Sequence, residues 1–154
     1  MGTYSAVILN NAAISGTTND IATLVPAASR RVWVTEIMVA GMGTSSAASQ
    51  INANRVTTAG ATGGGAITAS PWDAFSAASA SSLFTTWTTQ PVVSASLVSL
   101  AVNANGGIYR WVARPGQELN AIGSQATNMQ ISFRASVNGG GNYTIEVTWI
   151  EDPI

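Results

Sequence analysis

The sequence predicts an all-β chain: an antiparallel β-sandwich, jelly-roll-like, of roughly nine strands with one short helix near 71–80. Three observations point there. Apolar and polar residues alternate at period two along most of the chain, turn-forming Gly, Asn, Ser and Thr recur every ~8 to 12 residues, and neither a long amphipathic helix nor a fixed-period repeat is present. At 154 residues the chain makes a single domain, 1–154, large enough to bury a core without staples, with a loose N-terminal segment over about 1–20.

Tyr4 to Leu9 and Ile21 to Val25 read as short strands. Arg31 to Ala40 is longer, and Glu36 chooses its face. With Val32, Val34 and Met38 inward the carboxylate would be buried, so Trp33, Thr35, Ile37 and Val39 are assigned to the core. From Gly41 to Ala66 the chain is poor in large apolar residues, which predicts long loops around one marginal strand, Gln50 to Val56. Ser70-Pro71-Trp72-Asp73 places an N-cap serine, a first-turn proline and an acid in series, predicting a helical turn or two to about Ala80. Leu83 to Thr89 reads as a further strand. Leu97 to Val102 is expected to turn at Asn103–Gly107 and return through Ile108 to Ala113 as a hairpin, ended by Pro115-Gly116. At the carboxyl end Met129, Ile131, Phe133, Ala135 and Val137 alternate with polar residues. After Asn138–Asn142 the alternation resumes with Tyr143, Ile145, Val147 and Trp149, predicting a second hairpin.

Charged residues are only 8% of the chain against roughly 25% in an average domain, while 46% are hydrophobic. A compact monomer of this mass exposes roughly 7,300 Å², so each charge must serve on the order of 560 Å². Something besides ionic groups has to cover that surface. All six cations are arginine; Lys, His and Cys are absent. That removes thiol and imidazole catalysis, zinc and iron–sulfur ligand sets, Schiff bases and disulfides. It also removes the phosphate-loop lysine, so the run Gly60–Gly65 reads as a flexible loop. The first nine residues show no export leader, and no apolar window reaches the ~18 residues of a membrane span. A net charge of -1 gives no general attraction to nucleic acid or anionic lipid. No cofactor and no metal are expected, since the chain has no EF-hand spacing of acids.

Carboxylates, aromatic faces and arginines remain. Two acids suffice for glycoside hydrolysis, but Asp20, Glu36, Asp73, Glu118 and Glu146 show no recognisable catalytic spacing, and the expectation is a non-enzyme. Of the five tryptophans, Trp33, Trp111 and Trp149 fall on faces assigned to structure, leaving Trp72 and Trp87 as possible platforms for a sugar ring. Arg110 and Arg114 share an outward face with Val112, and Arg30-Arg31 enter another strand. Interfaces favour Arg, Trp and Tyr over Lys and Glu, which makes Tyr4, Arg30, Arg31, Trp72, Trp87, Arg110 and Arg114 the candidate contact residues. Asn142-Tyr143-Thr144 fits a glycosylation sequon, and turn chemistry explains it sufficiently.

The Arg30–Ala40 strand, the Ala/Ser/Thr/Gly-rich middle, the run Arg114-Pro115-Gly116-Gln117-Glu118-Leu119 and the closing Met129–Ile150 strands together resemble the jelly-roll capsid decoration, or cement, proteins of tailed bacteriophages. The resemblance implies a non-catalytic protein made in the host cytoplasm and carried on the virion surface. It implies homo-oligomers, trimers more often than dimers, that bind the major capsid protein and clamp the expanded shell. Exposed sandwich edges would be covered or extended by neighbouring copies. The alternative is a carbohydrate- or receptor-binding module such as a phage fibre head, to which an exposed Trp72 or Trp87 would contribute.

Overall fold

The computed structural model describes residues 1–11, 19–60, 65–85, 87–123, 129–137 and 141–154. Twelve strands lie among them: β1 (Gly2–Asn11), β2 (Asp20–Val25), β3 (Arg30–Gly41), β4 (Ala48–Thr58), β5 (Ala66–Thr68), β6 (Ser70–Pro71), β7 (Ser82–Phe84), β8 (Val92–Asn103), β9 (Ile108–Val112), β10 (Leu119–Ile122), β11 (Ile131–Val137) and β12 (Tyr143–Pro153). They form two antiparallel sheets. The first runs β10–β3–β12–β1–β6 with β9 also on β3, and the second runs β5–β7–β2–β11–β4–β8. Reduced to the longer strands, the orders are β1–β12–β3–β9 and β2–β11–β4–β8, and the chain changes sheet at nearly every connection. That is a jelly-roll arrangement, in keeping with the expected β-sandwich.

Period-two alternation turns one face of each sheet inward. Leu24, Ile51, Leu83, Leu100, Ile131 and Phe133 from one sheet meet Ile37, Tyr143, Ile145 and Trp149 from the other, nearly all without solvent contact. Burying side chains of this size stabilises by about 1.5–3 kcal/mol each, which lets a sparsely charged chain hold a sandwich without disulfides.

Both expected hairpins are corrected. β8 pairs with β4 while β9 pairs with β3 in the other sheet. Likewise β11 pairs with β2 and β4, and β12 with β1 and β3. Ile131, Phe133, Ala135, Tyr143, Ile145, Val147 and Trp149 face inward as assigned while Val137 is 51% exposed, and a short Gly/Asn connection spans the ~10 Å between sheets as readily as it folds back. At the β8–β9 corner, Gly106 and Gly107 take φ of 80° and 125°, conformations that L side chains rarely adopt.

The assigned face of β3 is half right. Thr148 opposes Glu36 and Trp149 opposes Val34, so Thr35 is an extra residue in a β-bulge. Val32 and Val34 point inward before the bulge, and Ile37 and Val39 after it, all with 0% exposure. Trp33 and Thr35 are half-exposed instead of core. The bulge is also where the neighbouring edge breaks: β10 pairs with Arg31–Val34 and β9 with Glu36–Ala40, while the Ala113 amide donates to the Thr35 carbonyl at 2.8 Å.

No helix occurs among the described residues. Ser70 and Pro71 form edge strand β6 against Ser5 and Tyr4, and a single turn follows. A helix to Ala80 would need the later amides to bond back along the chain, but Ala80 and Ser81 donate to Glu151. The expected loose segment contains β1, which is paired on both sides, and the marginal strand expected at Gln50–Val56 is an 11-residue strand, Ala48–Thr58, between β11 and β8. Residues 12–18 of the amino-terminal segment, 61–64 of the glycine run and 138–140 of the last turn lie outside the described residues.

Candidate interaction surface

One apolar surface sits on the rim beside β6. The Trp72 amide donates to the Thr3 carbonyl at 2.9 Å, fixing the exit from β6. Asp73 then closes a turn: its Oδ1 accepts from the Phe75 amide at 3.0 Å, and its carbonyl accepts from the Ser76 amide at 2.9 Å. This Asx geometry holds a short loop without help from a core. It presents Trp72 at 65% and Phe75 at 98% exposure.

The far side of the loop is anchored to Glu151, which is 5% exposed. Its carboxylate accepts from Ser79 Oγ at 2.8 Å, the Ser81 amide at 3.0 Å and the Ala80 amide at 3.2 Å, with Arg30 Nε at 3.7 Å. Burial alone pushes the Glu151 carboxyl up, but the donors on Ser79, Ser81 and Ala80 outweigh it and hold the group below the usual carboxylate range. Tyr4 is buried, its hydroxyl donating to the Ala77 carbonyl at 3.1 Å and its ring lying 6.4 Å from that of Trp149. Tyr4 therefore fastens the loop from beneath, which corrects its assignment as a contact residue. Arg30 lies 3.7 Å from the Glu151 carboxylate with its side chain 36% exposed.

The second apolar surface is the flank formed by β8 and β9. Val92, Ile108, Tyr109 and Val112 are 55%, 72%, 44% and 53% exposed. Arg110 lies on β9 between Tyr109 and Trp111, and its guanidinium grips Glu36 with two parallel bonds of 2.5 and 2.8 Å. That fork lowers the Glu36 carboxyl and raises the Arg110 guanidinium, leaving the flank locally neutral. Arg114 is exposed at the start of a turn closed by the Gln117 amide on its carbonyl at 2.8 Å. Arg31 lies 5.7 Å from the centre of the Trp33 ring, beside a cleft of about 160 Å³ lined by Met1, Trp33, Glu118 and Ile150. The seven expected contact residues do not converge on one site.

Trp87 is a further correction. Only 9% exposed, it packs 5.8 Å from Phe84, and its Nε1 donates to Thr23 Oγ1 at 3.2 Å. Thr23 in turn donates to Asp20, the hub of a buried network. Asp20 Oδ1 accepts from Ser132 Oγ and Arg134 Nε, both at 2.8 Å, and Arg134 Nη2 also reaches the Pro91 carbonyl at 2.8 Å. Arg134 faces Asp20 in the β11–β2 register, a pairing invisible until the strand partners are known. Phe75 was likewise missed: within a presumed helix its position carried no sign of being the most exposed aromatic ring.

Other acids have local tasks. Asp73 closes its turn and Glu118 accepts from the Gly116 amide at 3.1 Å. Among the described residues no three His, Cys, Asp or Glu side chains gather as a metal site, and no helix is long and apolar enough to cross a membrane. The chain matches no known protein-family model, curated protein or solved structure.

Proposed function

We propose that this chain is a non-catalytic structural protein of a phage particle, which self-associates and binds the major capsid protein on the outside of the shell. The observation that carries the reading is the pair of apolar surfaces on a sparsely charged sandwich: a held Trp72–Phe75 rim and a β8–β9 flank whose Arg110 is neutralised by Glu36. A shell clamp needs two kinds of contact, one for its own copies and one for the lattice, and many weak repeated contacts then give avidity. The flank suits the sister copy. The rim suits the shell, because a turn fixed by its own hydrogen bonds offers a large ring with little ordering cost.

Co-sedimentation with virions stripped of the protein tests this. The chain is expected to pellet saturably with the particles. Phe75→Asp is expected to keep the wild-type unfolding midpoint and to weaken binding by about 10- to 100-fold, as burial of one large apolar side chain implies. A chain that stays in the supernatant, or a Phe75→Asp variant that binds unchanged, contradicts the rim's role.

The 65% exposure of Trp72 supports the alternative of a sugar-binding module. Glycan-array binding that is lost in Trp72→Ala would favour that alternative, and silent arrays would count against it.

A further inference from the structure

We propose that two copies of this chain meet along the free edge of β8, pairing β8 antiparallel with β8 of the second copy across a two-fold axis. This rests on the self-association in the reading above and names its contact.

β8 is the last strand of its sheet, and β4 is its one strand partner among the described residues. It is 12 residues long and contains no charged residue and no proline. Proteins that remain single blunt such edges with lysine, proline or bulges, since an open row of peptide groups is a template for another strand. Here the register irregularities fall between Ala53 and Thr58, opposite Val92 to Val98, whereas Val98 to Asn103 pairs regularly with Ala53 to Ala48.

Which peptide groups face outward follows from one bond. The Ala104 amide donates to the Ala47 carbonyl at 2.8 Å, extending the Asn103–Ala48 register by one residue and making 104 and 47 a bonded pair. Bonded and non-bonded pairs alternate in an antiparallel ladder, so Val102 and Leu100 turn their N–H and C=O toward β4, while Ala101 and Ser99 turn theirs to the open side. Ser99 Oγ donates to Asn52 Oδ1 at 2.8 Å across the ladder, the close side-chain approach of a non-bonded pair. A two-fold axis at Leu100 sets Ser99 opposite the second copy's Ala101, and each such pair exchanges two N–H···O bonds. The two six-stranded sheets then become one continuous sheet.

The flank suits its own image. β8 is uncharged and Arg110 is neutralised by Glu36, so identical surfaces meet without repulsion. β9 touches β8 at this edge, with the exposed Ile108 and Val112 on its outer face and the exposed Tyr109 on the face it shares with Val39. A strand of this length is about 40 Å long and two stacked sheets are about 20 Å deep, so the flank offers on the order of 800 Å² per copy, the half-interface of a stable complex. An isologous contact consumes both edges and closes at two copies.

Light scattering behind size-exclusion chromatography at micromolar concentration tests the pairing on wild type, Ala101→Pro and Ala101→Lys. Proline at 101 removes only an N–H aimed away from β4, which an edge strand tolerates. Lysine places like charges at diagonal positions of the joined sheet. Wild type is expected near 31 kDa, twice the 15.7 kDa of one chain, and both variants at 15.7 kDa with unchanged circular dichroism. If the proline disturbs folding, the lysine variant carries the test. Folded variants that keep the two-chain mass, or a wild type near 47 kDa, three times 15.7 kDa, overturn the β8 contact and leave self-association standing. A monomeric wild type removes both.

Discussion

Replacing Asp20 with alanine is expected to cost about 3–5 kcal/mol, the range for breaking a buried ion pair by removing one partner. Its side chain has no solvent exposure and that of Arg134 has 14%. Four donor atoms converge on the carboxylate: Thr23 Oγ1, Ser132 Oγ, and Nε and Nη2 of Arg134. Alanine leaves all of them facing a void, with the Pro91 carbonyl the one remaining partner of the guanidinium among the described residues. Since domains of this size are stable by only about 5–15 kcal/mol, the variant loses a large share of its margin. Urea unfolding measures the loss as a lower midpoint at unchanged slope. Asp20→Asn, which keeps an acceptor oxygen but no charge, is expected to fall between wild type and alanine. A loss under about 1 kcal/mol for Asp20→Ala would show that the network is dispensable.

Glu151→Ala is expected to cost about 3 kcal/mol, because Ser79 Oγ and the amides of Ala80 and Ser81 lose a charged acceptor in a buried setting. The effect is local in a way the Asp20 variant is not. Glu151 ties the Trp72–Phe75 loop to β12, so the same substitution is expected to open residues 72–80 to proteolysis before the core unfolds. Acid should do likewise. The folded carboxyl sits below its ordinary value, so its contribution is complete above the unfolded pKa near 4.3 and is lost as pH falls through the lower folded value. Loop cleavage in wild type is therefore expected to rise below about pH 4. Glu151→Gln is expected to be cleaved more readily than wild type at neutral pH, without an acid step. An acid step that persists in Glu151→Gln would assign it to another carboxyl.

The sequence carried the fold class and most inward faces because both are written in period-two alternation. Ile131, Phe133, Ala135, Tyr143, Ile145, Val147 and Trp149 are buried as the pattern requires. Pairing is another matter: a strand's alternation is the same whether its neighbour is the next strand in sequence or one from the far end of the chain. That is why two sheet-crossing corners read as hairpins. The bulge at Thr35 defeated a single-phase reading of β3, although the conflict over Glu36 marked the place. The short helix failed because tertiary acceptors, Glu151 above all, captured the amides that a helix needs. At the candidate surfaces, Trp72, Arg110 and Arg114 were legible as exposed residues. Phe75 and the outward peptide groups of β8 were not, since exposure at a turn tip and the direction of a backbone N–H leave no trace in composition.

The proposed shell-binding role is tested most directly by a cryo-electron reconstruction of phage particles assembled in the presence of this chain. Density for the jelly roll is expected on the outer surface of the shell, with the Trp72–Phe75 rim against the major capsid protein and sister copies in mutual contact. Purified particles that lack the protein, or that hold it with both apolar surfaces facing water, would contradict a shell-binding role.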